Sequence, residues 1–113
     1  MDFIVEQAEN NICLITVNIN RATLKETEKF KTLLFDKIQI GIKNVIVDLS
    51  QCEFIDSTFL GSLVVSLKKT TSKGGDLRLI GFRPDVETMF ELTRLYRVFE
   101  SFKTKEEAIK SFN

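Results

Sequence analysis

The chain contains no histidine and no tryptophan, a single proline and two cysteines among its 113 residues. Without histidine there is no Ser-His-Asp triad, no Cys-His dyad and no His-containing metal site. A surplus of charge is also missing, since sixteen Lys and Arg balance sixteen Asp and Glu. A nucleic-acid binder normally carries a basic excess, so this balance argues against that class of partner. Long apolar runs are absent. The longest, Ile12 to Ile15, has four residues, far short of the roughly 20 needed to span a membrane. Met1-Asp2-Phe3 lacks the basic stretch of a signal peptide, so the expected location is the cytoplasm.

Cys13 and Cys52 lie in apolar settings (Ile12-Cys13-Leu14-Ile15 and Cys52-Glu53-Phe54). Two thiols make no disulfide scaffold, and both are expected reduced, packing as small hydrophobes. Hydrophobic residues supply 43% of the chain and charged residues 28%, a globular balance, with ten Phe to fill a core. No repeat, low-complexity tract or Pro-rich linker divides the sequence. Two separate cores would each fall near the lower size limit for stable burial. One domain over residues 1–113 is expected.

Phe3-Ile4-Val5 and Ile12 to Val17 read as strands around the turn Glu9-Asn10-Asn11, an antiparallel hairpin. Thr23, with Glu26 three residues on, forms a capping box for a helix running to about Ile40. Leu24, Phe30, Leu33, Leu34 and Ile38 give that helix its apolar stripe, and Gly41 stops it. Val45 to Leu49 is β-branched with little alternation, the pattern of a strand covered on both faces. A second helix starts near Ser57, with Leu60, Leu63, Val64 and Leu67 at i, i+3, i+4 and i+7. Gly74-Gly75 ends it, and Leu77 to Ile80 reads as a strand. Pro84 opens a third helix, with Val86, Met89 and Phe90 turned inward. Val98-Phe99 reads as a short edge strand, and Thr104 with Glu107 caps a terminal helix. The order predicts an α/β fold: a mixed, mostly parallel sheet of four to five strands with about four helices.

Between a buried strand and an amphipathic helix lies Phe54-Ile55-Asp56-Ser57-Thr58, at the rim where open α/β sheets usually place function. Val47-Asp48-Leu49-Ser50, Phe54, Asp56-Ser57-Thr58, Leu60 and Gly61 together resemble the STAS domain of bacterial anti-sigma factor antagonists. Gly74-Gly75-Asp76-Leu77 is similar to that family's entry to the next strand, and Val86 to Leu95 to its third helix and following turn. The resemblance covers nearly the whole chain. It implies a regulatory module rather than an enzyme, with no catalytic residues, cofactor or metal. Its implied partner is an anti-sigma factor with serine kinase activity, bound while the chain is unphosphorylated. Ser57 is the implied phosphate acceptor, with Thr58 as second choice.

The implied partner-binding residues are Asp56, Ser57, Thr58, Phe59, Ile55 and Asn20. Phe59 stands where the family usually has glycine, and Asn18-Ile19-Asn20 where it often has an acidic motif. Asp56 and Ser57 are also ordinary helix-cap types, and Asp48 fits a strand-end residue bonding loop N–H groups. Ile55 fits either core or rim. Phe59 precedes the stripe through Leu60, Leu63, Val64 and Leu67 by about 100° around the helix, so it is expected to be partly exposed and to insert into a partner. Two other readings remain: a non-switching STAS scaffold or transporter-associated subunit, and a small-ligand or nucleotide sensor. The sequence leaves the oligomeric state open.

Overall fold

The computed structural model describes residues 1–112. Strand β1 (Phe3–Gln7) and strand β2 (Ile12–Val17) form the expected antiparallel hairpin. Asn10 and Asn11 make the turn with left-handed backbone, which Asn tolerates. Strand β3 (Arg21–Ala22) leads into helix α1 (Leu24–Gln39), and strand β4 (Asn44–Asp48) follows. Strand β5 (Phe54–Ile55) leads into helix α2 (Ser57–Ser72). Strand β6 (Asp76–Ile80), helix α3 (Pro84–Leu92), strand β7 (Ser101–Phe102) and helix α4 (Lys105–Ser111) complete the chain.

Five strands form the main sheet in the order β1-β2-β4-β6-β7, parallel except for β1. Its register aligns Ile15, Val47 and Leu79 on one face and Leu14, Ile46 and Arg78 on the other. The first face carries the main core, where Phe30 and Leu34 of α1, Leu63 of α2 and Phe90 of α3 meet Cys13, Ile15, Val47 and Leu77. The second face is covered by α4 through Ala108 and Ile109. Strand β4 is thus buried on both sides, as its unbroken apolar sequence requires.

Thr23 and Thr104 both form the expected capping boxes. Gly75 allows close approach: a Cβ there would collide with the Lys43 carbonyl. The structure corrects the expected strand at Val98-Phe99. Phe99 is buried against Phe90, with ring centroids 5.9 Å apart, and follows a 3-10 turn at Leu95–Arg97. The edge strand pairing with β6 begins two residues later, at Ser101.

Candidate functional site

The two short strands β3 and β5 pair in parallel, Arg21 with Phe54 and Ala22 with Ile55. This pairing brings the N-termini of α1 and α2 together, because each strand runs directly into its helix. The Asn20 carbonyl accepts the N–H groups of Glu53 and Phe54 at 2.8 and 3.2 Å, and the Asp56 N–H donates to the Ala22 carbonyl at 3.0 Å.

Asp56 is the N-cap of α2. Its Oδ1 accepts the Phe59 N–H at 2.8 Å, and its Oδ2 accepts the Leu24 N–H at 2.9 Å. Leu24 is the first residue of α1, so one carboxylate caps both helices. Each cap satisfies a backbone donor left orphaned by helix geometry and places negative charge at a positive dipole end.

Ser57 and Thr58 follow as the first two residues of α2, and both are exposed. Among the described residues, neither hydroxyl makes a hydrogen bond. The Ser57 oxygen therefore stands on a fixed turn, open to a reagent from outside. Asn20 is also exposed on the rim, while Asp56 is half-buried by its two bonds. Asp48 takes the local role: its Oδ1 accepts the Ser50 N–H at 2.8 Å.

Two of the expected partner-binding residues lie elsewhere. Phe59 has no exposed surface, and its ring packs on Phe30 with centroids 5.2 Å apart. Phe30 in turn meets Phe3 at 5.6 Å. Phe59 is therefore a core residue, because α2 packs on α1 as well as on the sheet and its buried arc is wider than the apolar stripe. Ile55 is 1% exposed. It is the inward residue of β5, while half-buried Phe54 faces outward, as strand alternation dictates.

Other apolar groups take their place at the rim. Leu24 is 66% exposed and Leu92 80% exposed. A groove of about 410 Å³ opens between β5 and α3, lined by Phe54, Met89, Leu92 and Thr88 among others. The Arg21 guanidinium lies over the Phe54 ring, 4.3 Å from its centroid. Leu24 counted toward a core stripe in the sequence, yet it sits in the first turn of α1. Leu92 carried a signal: it is the last residue of α3, out of phase with Val86 and Phe90.

Both cysteines are buried and free. Burial pushes the Cys52 thiol up to about 12, and the Asp48 charge adds to the rise. Burial also raises Cys13, against the opposing charge of Lys37. Among the described residues, no group of three or more Cys, Asp or Glu is placed to hold a metal, and no helix is long and apolar enough to cross a membrane.

The model of the STAS domain family matches residues 5–108. A Thermotoga maritima protein, provisionally named as an anti-sigma factor antagonist, is 35% identical over 95 residues, covering 83% of this chain and 80% of that protein. A crystal structure of a Thermotoga maritima protein with the same provisional name matches at a TM-score of 0.86 and 28% identity, covering 97% of this chain and 93% of that one. The phosphorylated form of SpoIIAA, a Bacillus cell-fate determinant, shares the fold with a TM-score of 0.76 and 19% identity, over 98% of this chain and 99% of that one.

Proposed function

This chain belongs to the STAS domain family, and from that premise we propose that it is a cytoplasmic, single-domain regulator of transcription that acts by binding an anti-sigma factor. The partner carries serine kinase activity and holds the ATP. The chain is its substrate and its switch, and has no catalysis of its own. The observation that carries the reading is the exposed, unbonded Ser57 hydroxyl, held at the start of α2 beside a carboxylate already committed to two helices.

In the transfer, Ser57 Oγ attacks the γ-phosphorus of ATP. The new O–P bond forms as the bond to the ADP oxygen breaks, and the hydroxyl proton passes to a base on the partner. The product carries about −1.5 to −2 charge at neutral pH. First-turn N–H groups and the helix dipole accommodate that charge, so the fold persists. Asp56 adds a second negative charge one residue away. A partner packed on Leu24 and on the Phe54–Leu92 groove would meet this charge as repulsion and desolvation cost, and would be released.

The departure from the family glycine at residue 59 does not alter this surface, since the Phe59 ring points into the core. The experiment is a pull-down from the native cytoplasm with the wild-type chain and with Ser57→Asp. The reading expects an ATP-binding anti-sigma factor retained by the wild type and lost by the variant. Retention of the same partners by both would overturn it.

A further inference from the structure

The two edges of the main sheet differ. Strand β7 ends the sheet with two residues, too short to template another strand. Strand β1 ends it with five, Phe3-Ile4-Val5-Glu6-Gln7, paired with β2 without a bulge. It carries neither Lys nor Pro, and its one charge is the exposed Glu6. Ile4 and Val5 are 38% and 37% exposed.

The ladder fixes which backbone groups of β1 are free. The Asn18 N–H donates to the Asp2 carbonyl, and the Ala8 N–H donates to the Ile12 carbonyl, both at 2.8 Å. In an antiparallel pair, bonded positions alternate, so the even residues from Asp2 to Ala8 turn toward β2. Phe3, Val5 and Gln7 turn their N–H and C=O groups to the open edge. Val5 is the middle of this set. Antiparallel pairing of β1 with a second β1 about Val5 would bond Val5 to Val5 and Phe3 to Gln7.

The flank of α1 above this edge continues the pattern. A groove of about 730 Å³, mostly apolar, runs between β1 and α1, lined by Phe3, Val5, Lys29 and Leu33 among others. Ile40, 75% exposed, lies seven residues beyond Leu33 on the same flank. When two copies of α1 run antiparallel about a point between Thr32 and Leu33, Lys29, which lies 3.7 Å from Asp2 in its own chain, faces Asp36, and Thr32 faces Leu33. The Lys29–Asp36 pair is opposite in sign and occurs twice by symmetry. A two-fold interface needs this self-complementarity. Leu33 and Val5 line the same region, so one axis serves both the strand and the helix.

We infer that the β1 edge and the α1 flank form an isologous interface with a second copy of this chain, joining two five-stranded sheets across Val5. Its location is independent of the Ser57 reading.

The test is sedimentation equilibrium of the wild type, Val5→Lys and Asp36→Lys from micromolar to millimolar concentration, with circular dichroism melts of each. The wild type is expected to dimerise. Val5→Lys puts a charge at the axis and should yield monomer. Asp36 is exposed, so Asp36→Lys keeps the fold; it turns both Lys29–Asp36 pairs repulsive and should raise the dissociation constant by about tenfold. Adding Lys29→Asp to Asp36→Lys should recover affinity. A wild type that stays monomeric at every concentration overturns the inference. So does a dimer that neither Asp36→Lys nor a folded Val5→Lys weakens, since its contact would lie elsewhere.

Discussion

Oδ2 of Asp56 accepts the backbone N–H of Leu24 at 2.9 Å across a sequence separation of 32 residues. The other oxygen caps its own helix at Phe59. Asp56 is thus a tie between α1 and α2 as well as a helix cap, and Ser57 sits directly on that tie.

Replacing Asp56 by Ala should therefore cost more than an ordinary cap. Loss of the α2 cap alone is worth about 0.5–2 kcal/mol, and a charged hydrogen bond about 1.5–3 kcal/mol. Urea denaturation of Asp56→Ala is expected to show a loss of about 2–4 kcal/mol, with Asp56→Asn losing less because one acceptor oxygen remains. A loss below about 0.5 kcal/mol would show that the contact to Leu24 contributes nothing.

Phe59→Gly removes a ring that packs on Phe30 and has no exposed surface. Truncating a buried Phe costs about 3–5 kcal/mol, and Gly in a helix adds about 1 kcal/mol. The variant should melt far below the wild type, whereas Ser57→Ala at the exposed neighbouring site should stay within about 0.5 kcal/mol. Near-wild-type stability of Phe59→Gly would contradict the packing.

The Cys52 thiol titrates near 12 in the folded chain, against 9.0 for an unperturbed group. The unfolded chain loses this proton first. The contribution of Cys52 is therefore fully present below about pH 9 and is lost as pH rises toward 12. Denaturation across this range should show a steeper alkaline fall for the wild type than for Cys52→Ala. Parallel curves would count against the burial. At neutral pH, native protein should react with iodoacetamide far more slowly than unfolded protein.

Elements with a strong local signal were legible in the sequence. The capping boxes at Thr23 and Thr104, the unbroken apolar strand at Val45 to Val47 and the Asn-rich hairpin each rest on neighbouring residues. Strands β3 and β5 were not legible, because two residues carry no period and their pairing spans the whole of α1. The second bond of Asp56 is hidden for the same reason.

Phe59 shows a different failure. The buried face of α2 includes Ser62, Ser66 and Thr70 as well as Leu60, Leu63 and Leu67. Ser62 and Thr70 hide their hydroxyls by donating to the carbonyls of Phe59 and Leu67 in their own helix. A stripe counted from apolar residues alone omits them, and so places Phe59 at an edge when it lies inside. The rim was legible as a place, and Ser57 and Thr58 as its exposed hydroxyls. The apolar groups around it, Leu24 and Leu92, depend on where their helices start and stop.

The central claim is that Ser57 is the switch between partner-bound and partner-free states. The most direct test incubates the purified chain with the captured anti-sigma factor and ATP. The phosphorylated residue is mapped by mass spectrometry, and the affinities of the phosphorylated and unphosphorylated forms are compared by titration. The account predicts phosphate on Ser57, none on Ser57→Ala, and binding weakened by at least about tenfold on phosphorylation. Phosphate on another residue, or equal affinity of the two forms, would contradict it.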